Sequence, residues 1–96
     1  MRIKVRGYLT LRGVIGDRPF WEIEAERVTL NELIQWLSAE LGDEFVRVIA
    51  DPETGGINRF SAVLVNGCHH THLPDRLETE LADGDEVAIF PPLAGG

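Results

Sequence analysis

Residues 28–42 read VTLNELIQWLSAELG, and this run decides the fold class. Thr29 and Glu32 have the spacing of a capping box, in which the hydroxyl accepts an early helix N–H while the carboxylate reaches back to the N–H of Thr29. Leu30, Leu33, Ile34, Leu37 and Leu41 fall within about 100° of one another at 3.6 residues per turn, which makes one apolar stripe. Gly42 is a suitable stop. Trp36 lies off the stripe and is expected to cover the connection that follows, with a partner contact as the alternative. A single stripe has one face to bury, so this helix needs a second layer, and strand patterns on both sides of it supply one.

On the N-terminal side, Ile3, Val5, Gly7, Leu9 and Leu11 alternate with Arg2, Lys4, Arg6 and Tyr8, the period of a half-buried strand. Gly13 to Arg18 carries turn residues. Trp21, Ile23 and Ala25 then alternate with Phe20, Glu22 and Glu24, so the two strands read as a hairpin. On the C-terminal side, residues 43–60 form a long connection: Phe45, Val46, Val48 and Ile49 give its first half apolar content, so a short strand or helical turn is expected there, and turn signals make its second half an exposed loop. Ala62 to Val65 is a strand, Asn66-Gly67 suits a two-residue turn with positive φ at both positions, and a return strand is expected from Cys68 to about His72. Asp83-Gly84-Asp85 is the last turn and Glu86 to Phe90 the last strand.

The predicted fold is α+β in two layers, a mixed sheet of four or five strands with one main helix packed across it. Strand parity points Val63, Val65, Val87 and Ile89 at the helix. It points Tyr8, Leu64, Ala88 and Phe90 outward, as an apolar patch on the far face of the sheet.

Composition narrows the function. The 96 residues are 44% hydrophobic and 26% charged, the make-up of one globular domain. The net charge of −7 argues against a general nucleic-acid binder, whose affinity rests on Lys and Arg neutralising phosphates. Residues 1–9 lack the apolar run of a signal peptide, and no stretch approaches the roughly 20 apolar residues of a membrane span. Cys68 is the only cysteine, which excludes an internal disulfide framework. A cytoplasmic protein is expected. Lys4 is the only lysine.

The sequence closes with FPPLAGG. The stretch VLVNG followed by LADGDEVAIFPPLAGG resembles the C-terminal half of the MoaD/ThiS-like sulfur carrier family, and is closest in look to its MoaD branch. IKVRGYLTLRGVIGD and VTLNELIQWL are similar to the N-terminal half of the same family, and INRFSAVLVN also resembles the CysO branch. The resemblance implies the ubiquitin-like β-grasp fold over residues 1–96, with 91–96 as a protruding tail. It implies that the carboxylate of Gly96, preceded by Gly95, is adenylated by a ubiquitin-activating-type adenylyltransferase that consumes ATP, then converted to a thiocarboxylate. The implied sulfur acceptor is the large subunit of molybdopterin synthase, or another sulfur-accepting enzyme of cysteine biosynthesis or tRNA thiolation. A ubiquitin-like modifier is the alternative. The chain itself is expected to bind no cofactor and to carry no catalytic site. Partner contacts are expected from Tyr8, Leu64, Ala88, Phe90, Pro91, Pro92, Leu93 and Ala94. His69 stands where relatives more often carry an apolar residue.

This reading gives the tail a physical rationale. Glycines without Cβ can thread a narrow channel, and Pro91-Pro92 ends sheet pairing because proline has no N–H to donate.

Two clusters stand apart. On a strand, Cys68, His70 and His72 would share a face and could offer three metal ligands, against the simpler reading of a polar edge strand. Glu78, Glu80, Asp83, Asp85 and Glu86 form an acidic stretch, either a solvated turn or a surface that steers the chain towards a basic partner.

Overall fold

A computed structural model of the chain describes residues 1–8, 21–50, 57 and 61–91. Strands β1 (Arg2–Gly7) and β2 (Trp21–Glu24) precede helices α1 (Leu30–Leu41) and α2 (Asp43–Ile49). Strands β3 (Ala62–Val65) and β4 (Cys68–His69) follow, then 3-10 turns at His70–His72 and Arg76–Glu78, then β5 (Glu86–Phe90). The sheet order is β2-β1-β5-β3-β4. β1 and β5 run parallel, with Lys4 opposite Glu86 and Gly7 opposite Ile89, while the other pairs are antiparallel. This is the mixed five-stranded sheet with one main helix of a ubiquitin-like β-grasp. The turns expected at Gly13 to Arg18 and at 51–56 lie outside the described residues.

The capping box forms as expected. Glu32 N–H donates to Thr29 Oγ1 at 3.1 Å and Thr29 N–H donates to Glu32 Oε1 at 3.0 Å. Leu30, Leu33, Ile34 and Leu37 are buried against Ile3, Val5, Val63, Val65, Val87 and Ile89. Burying such side chains is the main favourable term in folding, at about 1.5–3 kcal/mol each. Gly42 ends α1 at φ +76° and leads directly into α2. A side chain there would be strained by that backbone.

The first half of the 43–60 connection is thus a helix, and it belongs to the core. Phe45 is fully buried and Ile49 nearly so. Their i, i+4 spacing puts both on one face of α2, and the buried ring of Phe45 extends the core beyond the end of α1. Trp36 makes a contact that was not expected of it: it meets Trp21 of β2 edge to face, with centroids 6.0 Å apart and planes at 73°. The reason is angular: Trp36 sits on the β2 side of the stripe, and Trp21 faces the helix layer.

Tight turns hold β5 in place at its start. Asn66 and Gly67 take φ +51° and +86°, as the β3–β4 turn requires. Asn66 also reaches into the next turn: its N–H donates to the Glu86 carbonyl at 2.8 Å, its Oδ1 accepts from Glu86 N–H at 3.0 Å, and its Nδ2 donates to Asp85 Oδ1 at 2.9 Å. Asp85 Oδ2 accepts from Ala82 N–H at 2.7 Å, and Asp83 Oδ1 from Arg2 N–H at 2.7 Å. Much of the acidic stretch therefore closes turns.

Truncating Phe45 to Ala should lower the unfolding free energy by about 3–5 kcal/mol, because a fully buried ring leaves a cavity that its neighbours refill only in part. Urea denaturation of the two proteins measures it; a loss below about 1 kcal/mol would mean that α2 is not part of the core.

Candidate functional site

The outer face of the sheet is built by strand alternation. In β5 Val87 and Ile89 are fully buried, so Glu86, Ala88 and Phe90 face away from the helices; in β3 Val63 and Val65 point inward and Ala62 and Leu64 outward. Because β5 lies between β1 and β3, the register brings Arg6, Ala88, Leu64 and His69 into one row. Ala62 lies opposite Phe90, and Tyr8 continues β1 beside it. Tyr8, Leu64, Ala88 and Phe90, expected on the outer face, are thus adjacent.

The patch is half-buried rather than fully exposed, and an aromatic contact is one cause. The rings of Tyr8 and Phe90 stack with centroids 4.4 Å apart and planes 7° from parallel, so each covers one face of the other. Such pairs contribute about 0.5–1.5 kcal/mol beyond the area they bury. Tyr8 N–H also donates to the Ile89 carbonyl at 3.0 Å. Along the same face charge replaces apolar surface: Arg6 Nε lies 2.7 Å from Glu86 Oε1 in a half-exposed ion pair. Lys4 is registered between Glu22 and Glu86. The face therefore grades from ion pairs at the start of β5 to aromatic rings at its end.

Pro91 is one of the residues expected to contact a partner. It is buried, because it continues the inward parity of Val87 and Ile89 at the end of β5. Pro92, Leu93, Ala94, Gly95 and Gly96 lie outside the described residues.

The Cys68–His72 segment differs from expectation. β4 stops at His69 and the chain turns into a 3-10 helix, so Cys68, His70 and His72 do not share a strand face. The turn is held locally: Thr71 N–H donates to His69 Nδ1 at 3.2 Å, His69 and His70 stack at 4.4 Å, and His70 Nδ1 lies 3.3 Å from the Val63 carbonyl. Among the described residues no group of three His, Cys, Asp or Glu side chains is placed to hold a metal ion. Nor is any helix among them long and apolar enough to cross a membrane. Elsewhere in the acidic stretch, Glu80 pairs with Arg27, with Arg27 Nε donating to Glu80 Oε1 at 2.6 Å.

The sequence profile of the ThiS family matches residues 16–96. The chain is 35% identical to small archaeal modifier protein 3 of Haloferax volcanii over the whole of both chains. It is 39% identical to an Archaeoglobus fulgidus protein named as a sulfur carrier, over 78% of this chain and 82% of that one. Among solved structures it is similar to a chain of the BexX/CysO complex of Amycolatopsis orientalis, with 28% identity and a TM-score of 0.70 over 98% of this chain and 99% of that one.

His70 makes stability depend on pH. Partial burial, with the neighbouring His69 ring adding to it, holds the His70 imidazole below its ordinary value of 6.5; the Val63 carbonyl opposes the shift. The folded state therefore binds this proton less readily than the unfolded one. Its contribution is complete above pH 6.5 and is lost as pH falls through the lowered value. Melting wild type and His70→Gln between pH 7.5 and pH 5 should show the wild type losing more on acidification. A constant difference between the two would show that His70 does not titrate on unfolding.

Proposed function

We propose, from the premise that the chain belongs to the ThiS family of sulfur carriers and ubiquitin-like modifiers, that it carries sulfur on the carboxylate of Gly96. An activating enzyme transfers AMP from ATP to that carboxylate and releases pyrophosphate. Sulfide, HS⁻, then attacks the acyl carbon and expels AMP, and the thioacid formed loses its proton to leave a thiocarboxylate. A carboxylate oxygen is a poor leaving group, so the adenylate is what makes the exchange feasible. The recipient proposed is the molybdopterin precursor, with this chain as the small subunit of the synthase. What supports that branch is the run from Asp83 to Gly96, which resembles MoaD as a unit. Cysteine biosynthesis and tRNA thiolation are the other recipients of the same chemistry.

One observation carries the reading. The Gly95-Gly96 pair follows within six residues of a central strand whose exposed face ends in an apolar, half-buried patch. The patch offers a docking surface and the glycines a thin reactive end that a partner's channel can admit. Chemistry at the end and recognition on the sheet are then separate, which suits a protein that several enzymes must hold in turn.

The similarity to an archaeal modifier favours a second reading, in which the activated Gly96 acylates a lysine of another protein. Self-linked chains through side-chain amines are poorly served, since the one lysine, Lys4, lies on the same outer face as the patch. Mass spectrometry of the protein from its own cells separates the readings. Replacement of one oxygen by sulfur at Gly96 marks the carrier, and isopeptide adducts mark the modifier.

A chain extended by one residue beyond Gly96 should fold normally but form no acyl adenylate, as read by ATP–pyrophosphate exchange. Full activity of the uncleaved extended chain would end the proposal.

Phe90→Asp should weaken binding of the synthase large subunit by about 2 kcal/mol or more, since it removes apolar contact and brings a charge into a desolvated interface. Calorimetric titration measures it. Unchanged affinity would move the docking surface elsewhere.

A further inference from the structure

Tyr8 makes two contacts at the end of β5 from which the chain continues towards Gly96. Its ring lies flat on Phe90, and its N–H donates to the Ile89 carbonyl. Phe90 is registered against Ala62 on the other side, so the last residue of β5 is bounded by β3 on one flank and by the Tyr8 ring on the other. A docking face needs apolar area, but it does not need two of its rings locked plane to plane.

We propose that Tyr8 is a positioning residue for the reactive end: by holding Phe90, it fixes the place and direction in which the chain leaves the sheet at Pro91. The inference rests on the carrier reading above. Its physical basis is reach. Six residues span at most about 20 Å, so the point and direction at which they leave the sheet bound the region that their far end can search. A misplacement of about 1 Å at a reacting group can slow a reaction a hundredfold. Pro91 favours the same result, because its fixed φ passes on whatever orientation Phe90 has. The Tyr8 hydroxyl has no part in this, and the stack is the working element.

A residue that only contacts the partner changes affinity, whereas one that aims the tail changes the rate once the partner is bound. Steady-state adenylation of the full chain by its activating enzyme separates the two. Tyr8→Ala should lower kcat at saturating carrier by about tenfold, and Tyr8→Phe, which keeps the stack, should restore most of it. Tyr8→Leu keeps apolar bulk without a flat ring and replaces the Ala variant if that variant does not fold. A rise in KM with kcat unchanged would reduce Tyr8 to a docking contact and overturn the proposal. Equal losses in the Phe and Ala variants would overturn it too, by assigning the effect to the hydroxyl.

The free protein gives a reading that does not depend on the enzyme. NMR of Phe90 and Pro91 should show averaged ring and backbone signals in the Ala or Leu variant and wild-type-like signals in the Phe variant. Unchanged Phe90 and Pro91 signals in the Ala or Leu variant would sink the positioning role. A wild-type chain that is never adenylated would sink the carrier reading instead.

Discussion

The pairing of β5 on both its sides is the interaction on which the rest of this structure depends. The last strand of the chain lies in the middle of the sheet, parallel to the first strand on one flank and antiparallel to β3 on the other. Until it is in place, β1 with β2 and β3 with β4 are two separate hairpins with no shared face for α1 to cover. The ladder between β1 and β5 joins residues some eighty positions apart, Lys4 with Glu86, so both ends of the chain are needed before the core can close. The segment before β5 is tied to the helix layer as well: Leu30 N–H donates to the Thr79 carbonyl and Leu81 N–H to the Val28 carbonyl, each at 2.9 Å.

The same placement fixes the end of the last strand from both sides. An edge strand would offer a terminus with a backbone ladder open on one side. A central strand has its backbone hydrogen bonds used on both flanks, so its orientation is set by two neighbours. The side chains at its end are set by the rows they fall into, and Phe90 falls between Tyr8 and Ala62. Aromatic surface therefore gathers where the chain leaves the sheet, without any local sequence cluster. The charged half of the outer face, with Arg6 against Glu86, lies at the opposite end of β5.

Acidic side chains serve this architecture more than their number suggests. Asp85 accepts a backbone hydrogen bond that closes the turn into β5, Asp83 ties that turn to Arg2 of β1, and Glu86 and Glu80 each pair with an arginine. The Arg27–Glu80 pair is well exposed to water and the Arg6–Glu86 pair is half-exposed, so the effect of the first is on local order more than on stability. An acidic run in a short sequence looks like a surface for steering. Here most of it closes turns and completes pairs that bring β5 to its register.

Local pattern alone determined a good part of this protein. The capping box and stripe of α1, the parity of β3 and β5, the positive-φ turn at Asn66-Gly67 and the outward set of Tyr8, Leu64, Ala88 and Phe90 each follow from periods and turn chemistry that act within a few residues. Tertiary structure decided the rest, for reasons no local window contains. Phe45 and Ile49 lie in the core because the short helix that carries them packs against the rest of the buried cluster. Trp36 turns to Trp21 because β2 lies on that side of the helix. His70 leaves the strand for a turn that brings it to the Val63 carbonyl, which separates it from Cys68. Most consequentially, the Tyr8–Phe90 stack joins residues at opposite ends of the chain. It exists because the first and last strands pair in parallel, and that pairing is decided by closure of the whole sheet over its core.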